Sequence, residues 1–187
     1  MQDVIIVRET VTAETLQQKM AIGIVFERCH FIDCTFSHID FTDASFLHCD
    51  LSNCMFSNSL LYRTAFTNCK MVGTKFVGMT LTATSFVDCL MERAAFEESE
   101  WKHVTYQAST LTNSDWYAVK HNRLLIDRCE LTDARFEETT LNGVDISTSQ
   151  FSSLHIAKDD VEGCIIHNEQ APILLAICGI RLKETVD

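Results

Sequence analysis

The sequence predicts a solenoid, and three observations carry that expectation. Every fifth residue from Phe26 to Ile166 is large and apolar, with His121 the single polar member, and all twelve phenylalanines and both tryptophans fall on this phase. A period of five matches neither the roughly 3.6 residues of an amphipathic helix nor the roughly 2 of a half-buried strand. The residue two places before each member is usually small, as at Ala44, Ser59, Thr64, Thr74, Thr84, Ala94 and Ser99. The residue two places after it is often Asp, Asn or Gly, as at Asp33, Asp43, Asn53, Asn68, Gly73 and Gly78. These types tolerate the positive φ of a tight corner. The large and the small residue point inward, and each unit is one side plus one corner of a coil.

Length and composition bound the rest. A chain of 187 residues supports one sizeable core. At 47% hydrophobic and 22% charged residues it is too apolar for disorder, and no apolar run approaches the roughly 18 residues of a membrane span. Fifteen basic residues against 26 acidic ones give a formal net charge of -11, which repels a phosphate backbone and excludes direct nucleic-acid binding from the expectation. The opening MQDVIIVRETVTAE carries acidic residues and a short apolar run, unlike a secretory signal, so a cytoplasmic location is expected.

In chain order, residues 1–23 are expected to cap the first coil, with a strand at Val4 to Val7 and a short helix from Ala13 to Ala21. Residues 24–168 form the repeat, which has no insertion and therefore no projecting loop. Residues 169–187 close the far end. Glu169 to Cys178 reads as a helix, with Pro172 in its first turn, Ile173, Leu174 and Ile177 as its apolar stripe, and Gly179 as its stop. A strand from Ile180 to Leu182 is expected to follow. Caps are needed because an open coil exposes apolar side chains and unpaired strand edges.

The pattern of a small residue, Asp or Asn, Leu or Phe, then two polar positions resembles that of the pentapeptide-repeat family. The resemblance covers residues 24 to 168. It implies a right-handed quadrilateral parallel β-helix with four pentapeptides per coil, about seven coils and a rod roughly 35 Å long. The C-terminal segment EQAPILLAICGIRLK is similar to that of the quinolone-resistance branch of the family. In that branch the segment makes a head-to-head homodimer, which assigns Ile173, Leu174, Ile177 and Ile180 to a dimer interface.

Chemistry-bearing residues have plain structural readings. Eight of the nine cysteines, Cys29, Cys34, Cys49, Cys54, Cys69, Cys89, Cys129 and Cys164, take the small inward position, where a thiol packs as a small apolar group. With four units per coil, Cys29, Cys49, Cys69 and Cys89 stack one above another. Side chains in parallel register disfavour the torsion of a disulfide, so free thiols are expected. The histidines do not converge on an ion, and no metal site or cofactor is expected. His121 stands apart, an inward slot within WYAVKHNRLLID with Lys102, His103, Lys120 and Arg123 on one side. It marks either a local distortion of the coil or a recognition spot. No nucleophile with a base, phosphate-binding glycine loop or zinc helix is present as a motif, and a filled coil leaves no interior pocket, so the protein is expected not to be an enzyme.

What remains is the outer surface. Glu97, Glu98, Asp115, Glu137 and Glu138 gather on one side of the rod, and Asp33, Asp50, Glu92, Glu130 and Asp133 on another. Resemblance to the quinolone-resistance branch implies a DNA mimic that binds type II topoisomerase, DNA gyrase or topoisomerase IV, through such a face, and implies quinolone resistance. The alternative is a scaffold for another macromolecule, because one fold hosts many functions. An outward apolar cluster formed by Leu60, Tyr62, Leu90 and Tyr117 would favour that reading.

Overall fold

The computed structural model describes residues 4–12, 15–17 and 20–183. Its strands are mostly three residues long and every pairing is parallel. The register is constant at 20 residues, from Val4↔Ile24 and Phe46↔Phe66 to Phe136↔Ile156. Twenty residues hold four five-residue units, so each coil has four sides. About seven coils stack into a parallel β-solenoid with a short C-terminal helix.

The five-residue unit explains this path. Face by face, the large residues form four interior columns. Two opposed columns are aromatic. Phe26, Phe46, Phe66, Phe86 and Tyr106 stack with centroids 4.6–4.9 Å apart, and Phe36, Phe56, Phe76 and Phe96 stack at 4.6–5.3 Å. Edge-on contacts join the two across the coil, as in Phe76–Phe86 at 81°. The other two columns carry mainly aliphatic residues such as Leu61, Leu81, Leu51 and Met71, all fully buried. The strand spacing of about 4.8 Å is also a favourable stacking distance, so the sheet ladder and the ring stack reinforce each other.

The small inward residue supplies the hydrogen bonds of the corner. Thr64 Oγ1 donates to Phe41 O at 2.7 Å, Thr74 Oγ1 to Leu51 O at 2.8 Å and Thr84 Oγ1 to Leu61 O at 2.9 Å, each reaching back 23 residues to the preceding coil. Cysteine thiols do the same more weakly, as from Cys69 Sγ to Phe46 O at 3.3 Å. Alternate corners are β-turns closed by bonds such as Cys54 N to Leu51 O and Ala94 N to Met91 O, both 3.1 Å. The residue two after the large one has positive φ along the coils, Asp43 at 57°, Asn53 at 58° and Gly73 at 67° included.

Two expectations at the ends are corrected. The segment expected as a helix from Ala13 to Ala21 instead continues the coil. Thr10–Thr12 pairs with His30–Ile32, Thr15–Gln17 pairs with Thr35–Ser37, and Met20 bridges Asp40; residues 13, 14, 18 and 19 lie outside the described residues. The parallel edge left open by the first full coil outweighs a helix too short to stand alone. At the other end the helix forms at Ala171–Ile177, preceded by a 3₁₀ turn at Asn168–Gln170, but Ile180 to Leu182 is not a strand. Gly179, at φ 74°, caps the helix, and Ile180 N donates back to Leu175 O at 2.8 Å instead of to a ladder.

The C-terminal helix lies over the last coil. Ile173, Leu174 and Ile177 are half-buried against the core. Gln170, 8% exposed, donates from Nε2 to Ile146 O at 3.0 Å and Ser149 O at 2.7 Å, while its Oε1 accepts from His167 N at 2.7 Å. One side chain thereby satisfies backbone acceptors that the end of the ladder would otherwise leave unpaired.

Candidate functional site

Because the interior is filled, function falls to the outer walls, and the 20-residue register decides which side chains share a wall. Glu97, Tyr117 and Glu137 occupy consecutive rungs of one column. Asp115 lies in register with Arg135 on the same strands. Glu98 and Glu138 stand at the corner following those strands, both with positive φ. The five carboxylates read from the sequence are therefore brought together on one face. Glu97 and Glu137 are two strand spacings apart, about 9.6 Å.

Their pairing distinguishes this face from the second acidic group. Among the described residues, the side chains of Glu97, Glu98, Glu137 and Glu138 have no ion-pair or hydrogen-bond partner, and Asp115 has a long contact to Arg135 at 3.8 Å. On the other face Asp50 meets Lys70 at 3.3 Å, Glu92 meets Arg93 at 3.8 Å, Asp133 meets His155 at 3.7 Å, and Glu130 accepts from Thr132 N at 3.0 Å. Asp33, the fifth of that group, has no side-chain partner among the described residues; the other four are engaged, whereas the four glutamates keep their charge available. Sequence spacing located both groups and read Tyr117 as outward, but did not place it, 38% exposed, between two glutamate rungs. The five-residue phase could have found it, since Tyr117 follows Trp116 by one place as Glu97 follows Phe96.

The outward Leu60, Tyr62, Leu90 and Tyr117 do not form one cluster. Leu60 and Tyr62 flank one strand, Leu90 bridges Lys70 and Thr110 on the opposite wall, and Tyr117 lies on the acidic face. The larger apolar surface is at the C-terminal end. A groove of about 530 Å³ there is lined by Val161, Ile166, Ala171, Leu174, Leu175 and Cys178 together with the charged Lys158, Asp159 and Glu162, and Ile165, Ile180 and Leu182 are half exposed. Of the four residues assigned from sequence to a dimer interface, Ile173, Leu174 and Ile177 contact the chain's own core and Ile180 stands free at 51% exposure.

Seven of the nine cysteines are buried, and no described cysteine is in a disulfide. Burial pushes the Cys54 thiol up to about 12 and the Cys129 and Cys164 thiols up to about 11, which makes them poor nucleophiles at neutral pH. No group of His, Cys, Asp and Glu among the described residues is arranged to hold a metal ion, and no described helix is long and apolar enough to cross a membrane. The His121 neighbourhood is resolved as a shallow basic depression, with the imidazole half-buried and its Nε2–H donating to Thr140 O at 2.6 Å.

Comparison with known proteins agrees with this architecture. The sequence pattern described as "pentapeptide repeat region" matches residues 59–136, and that of "pentapeptide repeats (8 copies)" matches residues 22–58. No curated protein matches the chain. Two solved structures of trypsin-treated variants of QnrB1, a plasmid-mediated fluoroquinolone resistance protein, are similar at 16% identity over 95% of this chain and 99% of theirs, with TM-scores of 0.50 and 0.53. HetL, a pentapeptide repeat protein involved in heterocyst differentiation regulation in the cyanobacterium Nostoc, is similar at 12% identity over 87% of this chain and 86% of its own, with a TM-score of 0.36.

Proposed function

Since the chain belongs to the pentapeptide-repeat family, whose members are generally non-catalytic, we propose that it works by offering an outer wall of its coil to a macromolecular partner, and that the partner is a type II topoisomerase, DNA gyrase or topoisomerase IV. The protein stands in for a segment of duplex DNA. The observation that carries this reading is the single face on which Glu97, Glu98, Glu137 and Glu138 lie without partners, in a chain of net charge -11. A basic channel built for phosphates attracts such a wall, and the constant register keeps the wall straight enough to follow it. The fold likeness to QnrB1 supports the choice of partner. The similarity of the C-terminal segment to that of the quinolone-resistance branch and the half-exposed Ile180 and Leu182 support a homodimer joined at its C-terminal ends, which doubles the length of the acidic wall.

A gyrase supercoiling assay tests the proposal. The protein at micromolar excess is expected to inhibit supercoiling, and Glu97→Gln combined with Glu137→Gln should weaken inhibition on the order of tenfold. No inhibition by the parent chain, or equal inhibition by parent and variant, overturns the reading. Adding a quinolone to the same assay separates binding from drug protection.

A further inference from the structure

We propose that the depression at Lys102, Lys120, His121 and Asn122 is a binding site for a small phosphate-bearing anion. Three independent observations converge there. First, it is where the interior series breaks. Along this side of the coil Phe41, Leu61, Leu81, Trp101 and Leu141 are all buried. His121, the polar substitute, is half-buried, and its imidazole reaches to Thr140 O in the next coil. Second, a cavity of about 370 Å³ opens at that point, floored by Trp101 and His121 and walled by Glu100, Lys102, Lys120 and Asn122. Third, its cations are unclaimed. Arg28, Arg63, Lys70, Arg93, Arg128 and Arg135 each contact a carboxylate. Among the described residues Lys102, Lys120 and Arg123 do not; Arg8, Lys75, Lys158, Arg181 and Lys183 share that state, and what sets Lys102 and Lys120 apart is that both line this one cavity.

The ladder fixes the arrangement. Glu100 lies in register with Lys120, and Lys102 with Asn122, so the two lysines sit diagonally across adjacent rungs. Their Cα atoms are about 8 Å apart on that diagonal. Two ammonium groups on flexible stems span such a gap onto one tetrahedral dianion, whereas a single carboxylate would satisfy only one of them. The Asn122 amide adds a neutral donor from the same rung. Arg123 and His103 stand at the adjoining corner of the two coils and raise the local potential. Glu100 is the opposing group, and its carboxylate competes with the ligand for Lys120. This site is on a different wall from the glutamate face and does not depend on the topoisomerase reading.

Nuclear magnetic resonance of the full chain tests it, with inorganic phosphate in one arm, O-phosphoserine in a second and sodium chloride at matched ionic strength as the reference. Saturable shifts are expected at millimolar phosphate or below in the amides of residues 100–103 and 120–123 and in the Trp101 indole. Tighter binding of O-phosphoserine would mark a phosphate ester as the ligand, and equal or tighter binding of phosphate the free anion. Lys102→Gln and Lys120→Gln are each expected to weaken binding on the order of tenfold, and Glu100→Gln to tighten it, with unchanged thermal melts because all three side chains are exposed. Shifts that follow ionic strength alike in all arms, or a Lys102→Gln, Lys120→Gln double variant that binds as the parent does, overturn the proposal.

Discussion

At the residue scale, the small inward slot does two jobs, and threonine does both best. Its methyl fills space beside the aromatic columns, and its hydroxyl serves a carbonyl in the coil before. Thr74→Val keeps the shape and removes the donor to Leu51 O. It should therefore cost about 1–2 kcal/mol in urea denaturation, and Thr74→Ser, which restores the donor, should cost less. Corner positions are limited by φ more than by crowding. A Cβ on Gly73 would sit 2.7 Å from Asn53 Oδ1 at φ 67°, so Gly73→Ala turns the Asn53 amide aside and meets mainly the backbone penalty that Ala83, Ala108 and Ala118 already bear at their corners. Buried thiols add a pH dependence with a definite sign. Unfolded cysteines titrate near about 8.5, while burial holds Cys54 at about 12 and Cys129 at about 11 in the folded chain. Their contribution is intact below the unfolded value and is lost as pH climbs from there through the folded values. Urea midpoints under reductant should hold steady from about pH 7 to 8 and fall by about pH 10, less steeply in Cys54→Ala.

At the scale of elements, no strand of three residues is stable alone, and each one exists through the rungs above and below it. The aromatic columns carry that coupling. Phe66 stacks on Phe46 at 4.6 Å and on Phe86 at 4.9 Å, so Phe66→Ala opens a cavity shared by three coils. It should cost about 3–5 kcal/mol, measured by thermal or chemical unfolding. Coil geometry has a cost at the indole-rich turn, where Trp101, Tyr106 and Trp116 crowd together and the Tyr106 hydroxyl is buried without a partner. Tyr106→Phe should leave stability unchanged or raise it by about 1 kcal/mol. The N-terminal segment shows how an element can be misread. Residues 13–21 look helical in isolation, but Thr15–Gln17 lies 20 residues before Thr35–Ser37 and the edge of the sheet claims it.

For the whole molecule, charge and ends matter most. The uncompensated glutamates make any association with a basic partner salt-sensitive, and binding to a topoisomerase should weaken steadily as ionic strength rises. The C-terminal end predicts an oligomer that can be cut without unfolding the coil. Ile180 is half exposed beyond the helix, so Ile180→Asp should leave the melt intact and convert a dimer to a monomer in light scattering. Leu174→Asp is a less selective probe, because Leu174 also packs on its own core.

The five-residue period alone determined the solenoid and the inward and outward sides of nearly every unit, and the membership of the acidic face followed once the family resemblance implied four units per coil. It could not decide which carboxylates were already paired. Asp50 and Glu97 are both outward carboxylates in the repeat, and only the side chains on the next rung show that Lys70 neutralises the first while Tyr117 stands beside the second. Nor could it place the ends, where the period stops and the fate of residues 13–21 and 180–182 depends on which sheet edge lies within hydrogen-bonding reach. Repetition encodes which residues stand on neighbouring rungs; whether two of them pair is set by the reach and geometry of their side chains, and closure at the termini by contacts that the repeat does not relate.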